Sequence, residues 1–530
     1  MKTAIVRTTL LITIIAMIAL SDRSHADSRP NILLVMVDDM GWSDLGCYGG
    51  ELDTPHIDSL ANDGLRFTRF YNNAVCGATR ASLLTGLYCQ QTGHRGNAWN
   101  DPKDFSKCVL VSEVLQAAGY HTAMVGKWQG RDLAINRGFD RFFGPNCQGK
   151  ISYWHPVVQN DFYLDDKPWA HPENGFFMTE AFNDYAAQFL KQAVGKDKPF
   201  FLYCAYIAPH WPLHARDEDI ARYRERYLNK GWDEWRTERI NRLREMKLLP
   251  DGWKPASKPK SVHDWANDKH KAWQAERMAA YAAQITYVDR GVGRLLKILK
   301  DSGADKNTLI LFLSDNGAAP DGGVGPTTGG FGFHAGKQRR WRIDGKAIKP
   351  GSGPNLMPGP HDTFAAYGPA WATTSNTPLR NTKQSAYEGG IRTPLIARWP
   401  SVVTTGGKIT RQPGHVIDVM ATCLDLAQTP YPKSFNNRRP IPMEGKSLLP
   451  ILHGQQRPRH PYIAWQCQRG DAIQAEDWKL VRSSQSQPWE LYDLSVDPGE
   501  TYNLAARFPD QVKRLTSQYA AWSKRVGVRR

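Results

Sequence analysis

Three uninterrupted apolar runs, each followed closely by polar groups, constrain this chain most. They are Asn31 to Val37 (NILLVMV), Phe200 to Tyr206 (FFLYCAY) and Thr308 to Ser314 (TLILFLS). Runs without polar alternation fit strands covered on both faces, as in parallel sheets. Helical patterns separate them, for example Ala279 to Lys300 ahead of the run at Thr308. Such alternation predicts an α/β sandwich. In open α/β sheets functional groups collect beyond the carboxyl ends of the strands. Asp38, Asp39, Pro209-His210, Asp315 and Asn316 all stand just past these runs. At 530 residues the chain exceeds what one core usually holds, so a second domain is expected.

Composition adds little about the fold and something about partners. With 41% hydrophobic and 23% charged residues the chain reads as an ordinary folded protein. A net charge of +16 suits an anionic partner, or only a basic surface. No nucleic-acid-binding motif accompanies it, so nucleic acid is not expected. Lys2 and Arg7, the short apolar run Leu10 to Leu20 and the small-x-small stretch Ser24-His25-Ala26 predict a signal peptide over residues 1–26. The mature chain would begin at Asp27, exported to the periplasm or beyond. No later stretch is apolar for long enough to span a bilayer, so no stable membrane insertion is expected. The eight cysteines (Cys47, Cys76, Cys89, Cys108, Cys147, Cys204, Cys423 and Cys467) fit no zinc spacing. Export permits disulfides, whose connectivity sequence does not give.

Asp217 to Lys247 is densely charged, carries Trp232 and Trp235, and reads as a solvated helical insertion. Lys254 to Lys260 reads as a loop, and Asp321 to Thr374, rich in Gly and Pro, as long irregular loops. After Pro400 the character changes. Val416 to Leu426 predicts a helix, Ala472 to Val481 and Trp489 to Leu494 short strands, and Arg507 to Val526 a final helix. The expected organisation is a signal peptide at 1–26, a catalytic domain at 27–412 and a smaller α+β subdomain at 413–530. The latter would hold a small antiparallel sheet and the terminal helix.

Asp38, Asp39, Asp315 and Asn316 are hard oxygen ligands, suited to calcium or magnesium rather than zinc. One Asp pair at a strand end more often caps a helix; a second strand-end pair makes a metal the better reading. The stretch Cys76 to Gly86 (CGATRASLLTG) is the strongest local signal. A nucleophile-like residue opens a predicted helix, with Arg80 one turn on, and helix N-termini hold anions. Lys127, His210 and Lys383 would add cationic donors. Each alone reads as a surface lysine or a loop histidine; their value lies in the combination.

The stretches NILLVMVDDMGWSDLGCYGG, CGATRASLLTG, GYHTAMVGKW, FLYCAYIAPHWP and LFLSDNGA resemble the type I sulfatase family, within the alkaline phosphatase-like superfamily. So do SNTPLRNTKQSAYEGGIRTPLIARWP, GHVIDVMATCLDLA, MEGKSLLPIL and WELYDLSVDPGETYNLA. The resemblance spans nearly the whole mature chain, with the bacterial arylsulfatase branch most similar. It implies a large mixed-sheet α/β sandwich of the alkaline phosphatase-like type with a smaller C-terminal α+β domain. It also implies hydrolysis of a sulfate ester, on a sulfated carbohydrate or an aryl sulfate. A formylglycine-generating maturation enzyme would oxidise Cys76 to formylglycine (3-oxoalanine), whose hydrate attacks sulfur with calcium assistance. Asp38, Asp39, Asp315 and Asn316 align with the Ca2+ ligands, and modified Cys76 completes the metal's shell. Arg80 aligns with the residue that steadies formylglycine, Lys127 and Lys383 with sulfate-binding lysines, and His210 with the histidine that assists the leaving group.

Three departures from the family pattern stand out. Ala78 takes the place of the usual proline in the maturation core. Gln129 replaces the histidine that normally follows Gly-Lys-Trp and accepts a proton when sulfate is expelled; an amide cannot act as a base near neutral pH. Gln466-Cys467 replaces a Glu-His pair. Three explanations of Gln129 compete: another base such as His334 or His94, slow release through water, or lost turnover. Two functional readings therefore stand, a working sulfatase and a catalytically impaired relative that binds sulfated glycans. A phosphatase of the same superfamily is disfavoured by the single hard-ligand set.

Overall fold

The structure is a computed structural model that describes residues 29–93, 107–130, 132–146, 153–154, 162–170, 172, 174–250, 252–321 and 353–528. The expected signal peptide, His94, Cys147 and His334 lie outside the described residues.

All three apolar runs form strands. β1 is Asn31–Val37, β2 Leu65–Tyr71, β3 His121–Gly126, β4 Arg141–Pro145, β5 Phe162–Leu164 and β6 Lys167–Pro168. β7 is Phe200–Ala205, β8 Thr308–Ser314, β9 Arg392–Arg398, β10 Lys408–Thr410 and β11 Gly414–His415. They build one 11-stranded mixed sheet in the order β10-β2-β9-β8-β1-β7-β3-β4-β5-β6, with β11 also on β2. β1 lies at its heart, parallel to β7 and β8. β9 runs antiparallel to both β8 and β2.

β1 shows why its sequence is apolar throughout. Leu33, Val35 and Val37 enter one core, shared with the helices Met178–Val194 (α2) and Lys271–Asp301 (α5). Ile32, Leu34 and Met36 enter the opposite core, shared with the helix Cys76–Thr85 (α1) and the helix Ile417–Leu426 (α6). Period-two side chains thus feed two cores, which makes the sheet the middle of three layers. No helix among the described residues is long and apolar enough to cross a membrane.

The four strands Ile463–Cys467 (β12), Gly470–Ala475 (β13), Trp478–Arg482 (β14) and Glu490–Asp493 (β15) form a second, antiparallel sheet. The final helix Pro509–Val526 (α7) packs Leu515, Tyr519 and Trp522 into its core. The expected single strand Ala472 to Val481 is in fact a hairpin, β13 and β14. Its turn contains Glu476 at φ 59°, so the chain reverses without the glycine that usually signals such a turn. β11 and α6 lie past residue 412 and yet belong to the large sheet and to the core beneath it.

The charged stretch after Asp217 is helical as expected, but only one face of it is solvated. It forms the helices Asp217–Asn229 (α3) and Trp232–Glu245 (α4), which bury Tyr223, Tyr227, Trp232 and Trp235. Arg239 of α4 is wholly buried and donates to Asp44 at 2.9 Å and to Glu51 at 2.7 Å and 2.8 Å. Charge density alone suggested a wet face; paired carboxylates on a distant loop make a buried one affordable. Within the expected irregular region, residues 368–375 form a helix.

Candidate active site

Two strand ends supply the acids. β1 ends at Val37 and delivers Asp38 and Asp39; β8 ends at Ser314 and delivers Asp315 and Asn316. Parallel pairing of Val37 with Ser314 sets these two polar pairs side by side. Asp39 adopts φ 69°, a left-handed conformation that short polar side chains tolerate better than most. Its backbone N–H donates to Asp315 Oδ1 at 3.3 Å, and Asn316 Nδ2 donates to Asp39 Oδ1 at 2.7 Å. All four residues are essentially inaccessible to solvent.

Cys76 is the first residue of α1, following Val75 in an extended conformation, so the helix starts on the thiol. The Sγ of Cys76 and carboxylate oxygens of Asp38 and Asp315 lie within 4.8 Å of one another. Arg80, one turn along α1, donates from Nε and Nη2 to Asp315 Oδ2 at 3.0 Å and 2.8 Å, and from Nη2 to Asp38 Oδ2 at 3.4 Å. Lys127, just past β3, donates to Asp38 Oδ2 at 2.5 Å. Lys383 donates to Asp39 Oδ1. His210 Nε2 lies 3.5 Å from Asp39 Oδ2, while its Nδ1 sits 2.5 Å from the Trp211 carbonyl oxygen. Gln129 Nε2 lies 3.7 Å from Cys76 Sγ. Every candidate named from the sequence among the described residues therefore converges on one buried cluster.

Its electrostatics follow from three carboxylates packed against three cations. Burial works to raise the Asp38 carboxyl, but Lys127, His210, Arg80 and Lys383 outweigh it and hold the group below the usual carboxylate range. Burial and repulsion from Asp38 push Asp315 the other way, up to about 7, against the pull of Arg80. Neighbouring acids in one site split in this manner. Burial lowers the His210 imidazole despite Asp39 and Asp38. Lys127 and Lys383 are raised, because Asp38 and Asp39 respectively overcome the cost of burial.

The donor set fits a hard divalent cation. Asp38 Oδ1, Asp39 Oδ2 and Asn316 Oδ1 are buried without a hydrogen-bond partner, and buried acceptors are seldom left so. Oxygen donors of this kind suit calcium. The amide oxygen of Gln129 is also buried without a partner, on the side chain whose Nε2 faces the Cys76 thiol.

Some supports were not legible in the sequence. Tyr203 Oη stands 3.5 Å from Arg80, and the Tyr206 carbonyl accepts from Arg80 at 3.3 Å. Tyr153 Oη donates to the His210 carbonyl at 2.8 Å and steadies that loop. Tyr203 and Tyr206 lay hidden in an apolar run, the first acting through its phenol oxygen and the second through its backbone carbonyl, which any residue there would offer.

The sulfatase family model matches residues 30–429, and the model for the N-sulphoglucosamine sulphohydrolase C-terminal region matches residues 381–521. The chain is 31% identical to the arylsulfatase of Klebsiella aerogenes, over 83% of this chain and 96% of that protein. It is 30% identical to an uncharacterised sulfatase of Schizosaccharomyces pombe, with 96% of each covered. The solved structure of Ps i-CgsB in complex with k-i-k-neocarrahexaose shares the fold, with a TM-score of 0.66, 24% identity and 93% of each chain covered. The two strand-end polar pairs, Asp38-Asp39 and Asp315-Asn316, and the helix that opens on Cys76 fall inside the longer matched span, and the chain belongs to the sulfatase family of sulfuric ester hydrolases.

Proposed function

We propose that this protein is an exported, calcium-dependent sulfatase that removes sulfate from a sulfated carbohydrate or aryl sulfate, using formylglycine made from Cys76 by a maturation enzyme. The observation that carries the reading is the convergence of Cys76 with Asp38, Asp39, Asp315, Asn316, Arg80, Lys127, Lys383 and His210 in one buried cluster. Asp38, Asp39, Asp315 and Asn316 would hold calcium, together with the modified side chain at position 76. Bound there, calcium supplies Lewis-acid activation of the nucleophile and charge neutralisation at the sulfate.

The remaining work falls to the chain's own groups. Three buried acids and three buried bases balance one another, so a divalent cation leaves a positive surplus that favours an anionic ester. Lys127 and Lys383 hold the sulfate oxygens, and Arg80 fixes position 76 relative to Asp315. His210, anchored through its Nδ1 edge at Trp211, presents Nε2 toward the departing alcohol. The net charge of +16 supports a polyanionic substrate.

A second reading has one observation in its favour. Gln129 sits beside Cys76 where a base would serve release of sulfate, and an amide cannot take that proton. On that reading the protein binds sulfated glycans and turns over poorly. Sulfate release from a panel of sulfated sugars and aryl sulfates separates the two. The enzyme reading expects multiple turnovers that vanish in Cys76→Ala; stoichiometric release or none, with sulfated ligands still bound, favours the second.

A further inference from the structure

A cleft of about 470 Å³ lies between the edge of the large sheet and the small sheet, lined by groups with no part in the cluster around Cys76. β2 contributes Arg69, the residue after β10 contributes Arg411, and the turn between β13 and β14 contributes Asp477. Arg459, Gln456 and Trp253 line it as well.

The charge balance of this cleft is uneven. Arg69 is only 7% exposed. Its Nη1 donates to Asp477 Oδ1 at 2.6 Å; its Nε and Nη2 make no close hydrogen bond and lie on the side of the buried Tyr71 phenol and Glu388 carboxylate, which also stabilise its charge. The other oxygen of Asp477 is shared with Arg459 at 3.4 Å. Arg411 is exposed and donates from Nη2 to the Lys247 carbonyl at 3.0 Å. Among the residues lining the cleft, one carboxylate thus faces three guanidinium groups, Arg69 buried and Arg411 and Arg459 exposed. A single carboxylate does not neutralise three cations, so an anion entering the cleft gains attraction from the exposed Arg411 and Arg459. Guanidinium forks match oxyanions in geometry. The Trp253 ring offers an apolar wall and Gln456 an amide, a mixture that suits a sugar ring with its hydroxyls.

We propose that this cleft is a second, non-catalytic site for a sulfated saccharide unit, held by Arg69, Arg411 and Arg459 against Trp253. The inference rests on the reading of the substrate as a sulfated carbohydrate. A polymer held at both the cleft and the cluster around Cys76 would gain affinity by avidity.

The test uses full-length Cys76→Ala protein, with and without the added pair Arg411→Ala and Arg459→Ala. Both arginines are exposed, so the fold should survive, and matching unfolding midpoints check it. Isothermal titration employs size-defined oligosaccharides from carrageenan, chondroitin sulfate and heparin, together with desulfated counterparts. Loss of two guanidinium–sulfate contacts is expected to weaken binding of at least one sulfated probe by about tenfold, with the Arg459→Lys form intermediate and desulfated probes not bound. Equal affinity with and without the arginines, or no binding of any probe, overturns the proposal. Hydrolysis of the same probes by the wild-type enzyme is scored separately. Cleft binding without hydrolysis would fault the substrate reading alone, and hydrolysis with arginine-independent binding would fault the cleft alone.

Discussion

Adding calcium to chelator-treated protein should raise its unfolding temperature, by an amount the site sets. Asp38 Oδ1, Asp39 Oδ2 and Asn316 Oδ1 are buried acceptors without partners. Each unpaired acceptor costs roughly 1–3 kcal/mol, so a cation that engages all three has several kcal/mol to recover. By mass action, calcium at a hundred times its Kd stabilises the native state by about 2.7 kcal/mol, and at a thousand times by about 4.1 kcal/mol. For 530 residues, an unfolding entropy of about 2.1 cal/mol/K per residue gives roughly 1.1 kcal/mol/K. The midpoint should therefore rise by about 2–3 °C at the lower excess and about 4 °C at the higher. Differential scanning fluorimetry across a calcium titration reads this directly, with magnesium as comparator. Asn316→Ala, which removes one neutral donor and keeps every charge, should blunt the shift. A midpoint that ignores calcium at millimolar excess, in protein shown to be folded, refutes the metal assignment.

Three further outcomes are expected. Gln129→His should accelerate release of sulfate after the first turnover, by up to about a hundredfold if proton transfer limits that step; stopped-flow burst and steady-state rates read it, and an unchanged steady rate means another base already serves. Arg239→Ala leaves Asp44 and Glu51 buried and unpaired, so chemical denaturation should show a loss of about 3–5 kcal/mol; a loss under about 1 kcal/mol would mean the pair is no better than a surface one. Burial pushes the His415 imidazole from its ordinary 6.5 down to about 3. The unfolded chain then takes up a proton below pH 6.5 that the folded chain refuses until about 3. Stability should fall as pH drops through that window, by up to about 1.4 kcal/mol per pH unit. His415→Gln should flatten the dependence of the urea midpoint between neutral and mildly acid pH, and an unaltered slope would remove His415 as its cause.

The main sheet was legible because three of its strands are buried on both faces, so NILLVMV and TLILFLS carry no polar residue between their terminal positions. The acids at those ends were legible for the same reason, since a polar pair directly after such a run marks the sheet's carboxyl edge. Sequence could not anticipate that Arg239 would be buried, because its partners Asp44 and Glu51 lie some two hundred positions away in the chain. It missed the hairpin at Glu476 because the turn there uses no glycine. The cleft at Arg69 was equally hidden, since its walls come from separate stretches of chain.

The most direct test of the central claim is peptide mass spectrometry across Cys76, on protein made with an active maturation enzyme. The account predicts formylglycine at that position. Unmodified cysteine there, with a control substrate fully converted in the same cells, would contradict it.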